Sequence, residues 1–167
     1  MNEHYDRYLT KKYAPLYRDR YGDMRATAMC WGFECGDGWF NLINTLSELL
    51  CNDWLYAKEK YERLKALENQ KEFGEWAVDF NDTVTPKRIE QARLEMLEEE
   101  AKIPVVTQVK EKYGKLNFYT DLATEEQQAY INFAYLMSAY TCEVCGNKGK
   151  LNRSGWITAR CKEHEEY

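Results

Sequence analysis

Apolar residues recur at helical spacing in five segments of the chain, with polar and charged residues filling the positions between them. The five predicted helices are residues 4–16, 38–51, 55–72, 86–102 and 124–140. Asp37 is expected to cap the second helix, because its carboxylate can accept from the first free backbone N–H groups. The fourth helix follows Thr85 and has Pro86 in its first turn, where proline is favoured.

The last predicted helix starts with Thr124 and carries Gln127 three residues later, the spacing of a capping box. The expected buried face of this helix consists of Ala129/Tyr130, Phe133 and Leu136/Met137. We therefore expect the helix to pack on the core through that face.

Residues 104–119 alternate between apolar and polar positions on both sides of Gly114, a pattern that predicts a β-hairpin. Residues 28–37 are rich in glycine and aromatics and indicate a loop or an extended segment. A further short strand is expected within 74–84. The predicted fold class is α+β, with helices packed on a small antiparallel hairpin or sheet and a zinc-finger-like module at the C-terminus.

The composition of the 167 residues, 44% apolar and 31% charged, is typical of a globular protein. The length predicts one domain, or one domain with a small appendage. We place an α+β body at residues 1–140 and a metal-binding module at 141–167. The net charge of −5 argues against a protein that coats nucleic acid non-specifically.

The first seven residues mix acidic and basic side chains, and no apolar run follows them, so no signal peptide is expected. Apolar stretches such as 133–137 are far shorter than the ~18 residues that a membrane-spanning helix needs. We expect a cytoplasmic protein with no membrane partner. In that compartment, metal binding explains some of the six cysteines better than three disulfides do.

The C-terminal region carries two pairs of potential metal ligands. Cys142 and Cys145 form a C-x2-C pair, and Cys161 and His164 form a C-x2-H pair after fifteen intervening residues. Gly146 suits the positive φ that a metal-binding turn often requires. This spacing predicts one structural zinc ion per chain, held by three thiolates and an imidazole in a closed site.

Two other interpretations of these residues stay open. In the first, the cysteines are unrelated buried thiols beside an exposed histidine. In the second, Cys142 and Cys145 form a redox pair. The absence of a clear βαβ pattern around Cys142 argues against a redox pair. Iron is an alternative to zinc, although closed thiolate-rich sites favour zinc.

The segment between the ligand pairs is basic and carries Trp156, with no acidic residue from Gly146 to Lys162. Its basic residues are Lys148, Lys150, Arg153, Arg160 and Lys162. Such a surface can bind phosphate or nucleic acid. We favour the alternative, in which Trp156 contributes to the small core that a zinc module builds around its metal.

The segment 30–40 combines glycines with Trp31 and Trp39 at a predicted helix start. Backbone N–H groups there could bind a phosphate between the two tryptophans. We favour a structural role for the aromatic residues and for Asp37, whose charge would repel an anion. The remaining cysteines, Cys30, Cys35 and Cys51, are expected to be buried free thiols.

Three distinctive segments follow one another along the chain. They are residues 35–40 (CGDGWF), residues 108–119 (QVKEKYGKLNFY) and residues 142–164, which contain the two ligand pairs. Together they resemble a family of small uncharacterised proteins of bacteriophages, prophages and bacteria. The resemblance implies a cytoplasmic protein in a bacterial host and a zinc-binding C-terminus. Residues 55–102 have no counterpart in that pattern, so we expect a helical insertion there.

The leading hypothesis is a noncatalytic accessory protein that captures a host protein or a small nucleotide-like ligand, for example to counter host defence. We expect Trp39, Tyr113 and Trp156 to anchor the partner. Arg153 and Arg160 are the candidate anion contacts.

Two alternatives from other classes remain. The first is a nucleic-acid-binding regulator that works through the basic finger. The second is a metal-dependent phosphodiesterase or nuclease that uses Glu34 and Asp37. No recognisable catalytic constellation supports an enzyme.

Overall fold

A computed structural model describes residues 1–71 and 84–165. The chain divides into two compact units, one formed by Met1–Leu50 with Pro104–Tyr167 and the other by Cys51–Ile103. Within the described residues, no helix combines the length and the apolar character required to cross a membrane. Helices together with small sheets confirm the predicted α+β class.

The helices and strands are numbered here in chain order. The α-helices are α1 (Glu3–Lys12), α2 (Phe40–Lys71), α3 (Pro86–Ala101) and α4 (Glu125–Ser138). The strands are β1 (Phe33–Glu34), β2 (Val105–Lys112), β3 (Lys115–Asp121), β4 (Lys150–Asn152) and β5 (Thr158–Arg160). Short 3₁₀ turns cover Ala28–Trp31, Asp37–Trp39 and Lys162–His164.

The central sheet has the order β1-β2-β3, with β1 parallel to β2 and β3 antiparallel to it. The predicted hairpin is confirmed as β2 and β3, which are joined by Tyr113 and Gly114. Both turn residues have positive φ, 54° and 70°, as a two-residue turn between twisted strands requires. The tyrosine therefore stands at the hairpin tip, where it is largely exposed.

The second and third predicted helices are one continuous helix, α2, because no glycine or proline interrupts the chain between them. The predicted cap at Asp37 is wrong. This residue lies inside a 3₁₀ turn, and its carboxylate accepts instead from the backbone N and the Nδ2 of Asn2, at 2.6 and 2.7 Å. Asn2 in turn caps α1 by accepting from the N–H of Tyr5.

Helix α4 has the predicted capping box of Thr124 and Gln127, but its predicted buried face is wrong. The helix buries Ile131, Ala134 and Ser138, whereas Phe133, Leu136 and Met137 of the expected face are exposed and Tyr130 is half-buried. The Ser138 hydroxyl accepts from the buried N–H of Leu116 on β3, at 2.9 Å. Because β3 is an edge strand, this hydrogen bond satisfies a backbone donor and fixes the rotation of the helix.

The Cys51–Ile103 unit is built from the second part of α2 and from α3. Its small apolar core contains Leu64, Val84, Ile89 and Ala92. Thr85 caps α3 and Pro86 opens it, as predicted. The predicted insertion at 55–102 falls within this unit, whereas the strand predicted within 74–84 lies almost entirely outside the described residues.

Candidate metal centre

The structure brings together the four predicted metal ligands. The ligand atoms of Cys142, Cys145, Cys161 and His164 all lie within 4.8 Å of one another. The Sγ atoms of Cys145 and Cys161 are 3.7 Å apart, and the Sγ of Cys142 is 3.7 Å from Nδ1 of His164. Bond lengths of 2.0–2.3 Å in a tetrahedron separate such atoms by about 3.6–3.8 Å, so the cluster has the size of a metal site.

Each ligand pair is held by a short local structure. In the first pair, the N–H of Gly146 donates to the carbonyl of Cys142, and Gly146 adopts the expected positive φ of 77°. In the second pair, the N–H of His164 donates to the carbonyl of Cys161 in a single 3₁₀ turn. The β4–β5 hairpin connects the two pairs.

The environment of the cluster favours thiolate formation at Cys142. Burial raises the pKa of this thiol, but backbone N–H groups, first those of Cys145 and Cys161, outweigh burial and bring its pKa to about 6. The N–H of Asn147 favours the thiolate of Cys145, yet burial and the adjacent thiols raise the pKa of Cys145. A second thiolate beside the first is repelled, and a bound cation would remove that repulsion.

The first ligand pair docks on the glycine-rich segment that precedes α2. The backbone N–H of Gly36 donates to the Glu143 carboxylate at 2.8 Å, and the N–H of Gly38 donates to the Glu143 carbonyl at 2.8 Å. A Cβ on Gly38 would lie 2.2 Å from the carbonyl oxygen of Cys142 and 2.5 Å from the nitrogen of Gly146. Only glycine therefore lets the two backbones approach this closely.

This docking assigns roles to residues that sequence reasoning did not identify. In the segment 30–40, where backbone N–H groups could have bound a phosphate, the N–H of Gly36 donates to the carboxylate of Glu143 instead. The protein therefore supplies its own anion at this position. Glu143 also pairs with Arg160 on β5, at 3.4 Å. The acid lies between the two cysteines of the first pair, and that position is the only sequence signal that could have indicated its role.

Trp39 is placed in the core and not at a surface. Its side chain is fully buried, and its indole Nε1 donates to the carbonyl of Thr141 at 2.9 Å. A buried side chain cannot contact a partner, so the expected anchoring role of Trp39 is corrected to a structural one. The indole ties the start of α2 to the residue that precedes the first metal ligand.

The other cysteines lie outside the metal cluster and are free. Cys35 and Cys51 are buried, and burial raises the pKa of each thiol to about 12. Cys30 is only partly buried. In the described part of the chain, the cluster of Cys142 is the one group of ligands close enough to hold a metal.

Tyr113 and Trp156 line the same groove, which has a volume of about 400 Å³. Both rings are well exposed, at 69% and 82%, so the expectation that Trp156 contributes to the core of the C-terminal module is wrong. Glu111 and Lys112 from β2 complete one wall, and Gly155 and Ile157 complete the other. The structure thus joins two of the three predicted aromatic anchors at one surface.

A more polar cavity of about 610 Å³ shares Glu111 and Trp156 with this groove and extends to Arg160. The Nε of Arg160 is buried without a hydrogen-bond partner among the described residues. Arg153 is exposed and is not among the residues that line either cavity. Of the two predicted anion contacts, Arg160 therefore lies at a cavity and is partly committed to Glu143.

The two predicted catalytic carboxylates each have a structural partner. Glu34 accepts from Nε2 of Gln108 at 3.1 Å, and Asp37 accepts from Asn2. Neither belongs to a cluster of potential metal ligands within the described ranges. Their surroundings thus give no support to metal-dependent hydrolysis at this pair.

Comparisons with known protein families, with curated proteins and with solved structures find no match for this chain.

Proposed function

We propose that this protein is a noncatalytic binding protein that holds one structural zinc ion and captures a nucleotide-like ligand. The observation that carries this proposal is the groove between Tyr113 and Trp156. One ring stands on the hairpin tip and the other on the module that carries the candidate metal ligands. Zinc would then keep one wall of the groove in place.

Zinc is the metal that best suits the donor set. Three thiolates and one imidazole in a compact cluster are typical ligands of structural zinc. All four positions are filled by protein atoms, so no coordination site is left for a substrate. A structural role follows from that closed set.

A nucleotide-like ligand suits the groove because exposed aromatic rings stack on bases. Such stacking contributes about 1–3 kcal/mol per base. Carboxylate, amide and hydroxyl groups in the adjoining cavity, including Glu111 and Asn152, can accept from or donate to a sugar. Lys112 lines the groove and Arg160 lines the adjoining cavity, so both are cations available to a phosphate, whereas Arg153 lies outside both cavities.

The sequence resemblance supplies the proposed biological context. It supports a proposed location in the cytoplasm of a bacterial host and a proposed origin as an accessory protein of a phage or prophage. Sequestering a nucleotide signal or a host protein would give such a protein a role against host defence.

The zinc proposal is tested by native mass spectrometry of protein purified without chelators. We expect one zinc ion per folded chain, lost together with the fold of the C-terminal module when a chelator is added. A folded chain without metal would refute this part of the proposal.

The ligand proposal is tested by isothermal titration calorimetry with nucleoside monophosphates and cyclic dinucleotides, a measurement that does not depend on the fluorescence of Trp156. Trp156→Ala should abolish binding and Trp31→Ala should not, since Trp31 is also well exposed, at 63%, but does not line the groove. Equal effects of the two variants, or no binding of any nucleotide, would contradict capture of such a ligand.

A nucleic-acid regulator is the second candidate, favoured by the exposure of Lys148, Arg153 and Lys162. No ion pair involves these residues within the described part of the chain. Titration with a single-stranded oligonucleotide at increasing salt concentration tests this second candidate, because phosphate contacts make the affinity for nucleic acid fall steeply with salt.

A further inference from the structure

Helix α4 has a buried face and, on the side away from it, a set of large apolar side chains. Ile131, Ala134 and Ser138 form the buried face. The second set is a stripe of Phe133, Leu136 and Met137, which Tyr140 continues just beyond the last helical residue, Ser138. At about 100° per residue, Phe133, Leu136 and Met137 lie roughly 140° around the helix axis from the buried face.

The second stripe is left uncovered within this chain's described residues. Its four side chains are between 39% and 63% exposed. Contiguous apolar surface of this kind typically marks a protein–protein interface.

We propose that the stripe of Phe133, Leu136, Met137 and Tyr140 binds the same stripe of a second copy of this chain, with the two helices antiparallel. A two-fold axis between Leu136 and Met137 would place Phe133 of one copy opposite Tyr140 of the other. The same patch then serves both copies, as closed two-fold symmetry requires.

Charge complementarity favours a second copy as the occupant. The first turn of α4 carries Glu125 and Glu126. Beyond its C-terminal end, Lys148 forms a β-bridge with Thr141, is exposed, and makes no ion pair with the described residues. Antiparallel pairing brings the acidic first turn of each copy towards Lys148 of the other copy. It also places the two helix dipoles in opposite directions, which is the favourable arrangement.

The stripe is short, so the dimer should be weak. Interfaces below about 1,200 Å² are typical of transient association. We therefore expect a dissociation constant in the range of about 1–100 µM, with the monomer predominating at low concentration.

Sedimentation velocity over about 1–200 µM protein tests the proposal, with the concentrations chosen to bracket that range. Wild type should shift from monomer to dimer, and Leu136→Glu should stay monomeric. Gln128→Glu is the matched control, because it adds the same charge to an exposed position of α4 outside the stripe. A monomer at every concentration, or equal loss of the dimer in both variants, would overturn the proposal.

A charge exchange tests the antiparallel arrangement without touching an apolar residue. Glu126→Lys and Lys148→Glu should each weaken self-association several-fold, because each places like charges at both ends of the pair. An equimolar mixture of the two variants should recover wild-type association. Failure of the mixture to recover, with both variants folded and metal-bound, would exclude this arrangement.

Discussion

The metal module and the helical unit Cys51–Ile103 are held together by different kinds of contact. In the module, backbone atoms of Gly36 and Gly38 bind Glu143, more than one hundred residues away in sequence. In the helical unit, side chains of α2 and α3 pack around Leu64, and Lys60 pairs with Glu95 at the surface. The first region depends on close backbone approach around a candidate metal site, and the second depends on the volume of packed apolar side chains.

This difference predicts different tolerance to substitution. Backbone-to-backbone docking has no side chain that can adjust, so a single added methyl group is disruptive. A helix pair with half-exposed ion pairs changes its stability only where the apolar core is truncated. The following variants, in decreasing order of effect, test that contrast.

Cys142→Ser should have the largest effect, because it removes a buried ligand from the candidate metal site. We expect loss of the metal and a melting temperature lower by about 10 °C or more, since structural zinc contributes most of the stability of such modules. Metal analysis and thermal unfolding measure both effects. Cys30→Ser is the control and should retain the metal; a metal-bound Cys142→Ser protein would contradict the assignment.

Gly38→Ala should destabilise the docked module by about 3 kcal/mol, because the new Cβ would collide with backbone atoms of Cys142 and Gly146. Chemical denaturation, monitored through a spectroscopic signal of the metal site, measures this loss of stability. Gly155→Ala is the control, since its Cβ would meet nothing within 4 Å and only its φ of 83° opposes alanine, at about 1 kcal/mol. Equal costs would show that the docking is not close-packed.

Leu64→Ala should destabilise the helical unit by roughly 2–3 kcal/mol, because the leucine is 2% exposed and its removal leaves a cavity. The metal content should be unchanged, and helical circular dichroism should report the loss. Leu94→Ala makes the same truncation at a position that is 49% exposed and should cost under about 0.5 kcal/mol. Metal release by Leu64→Ala would show that the stability of the two regions is not independent, contrary to this prediction.

Lys60→Ala and Glu95→Ala should have the smallest effects, because their ion pair of 2.6 Å joins two side chains that are about 40% exposed. We expect a coupling free energy of about 0.5 kcal/mol in a double-mutant cycle measured by urea unfolding. A coupling above about 1.5 kcal/mol would show that this unit also depends on specific polar contacts.

Sequence patterns with a local cause were reliable in this chain. The hairpin turn at Tyr113 and Gly114 and the capping box at Thr124 depend on neighbouring residues alone. The four residues of the candidate metal cluster were also predicted to lie together, because each short pair can contribute two ligands to the same ion. The cap at Asp37 failed because Asn2, distant in sequence, binds the carboxylate that would have capped the helix.

The sequence by itself determined the hairpin, the α+β class and the candidate set of metal ligands, since each follows from the spacing of residues along the chain. Only the tertiary structure decided that Trp39 is buried, that Glu143 fills the glycine turn, and that α4 turns Ser138 towards the sheet. Helical periodicity shows that a helix has apolar faces, but it does not show which of two such faces is buried when both are of similar size. The face that α4 buries carries the Ser138 hydroxyl, which accepts from the buried N–H of Leu116.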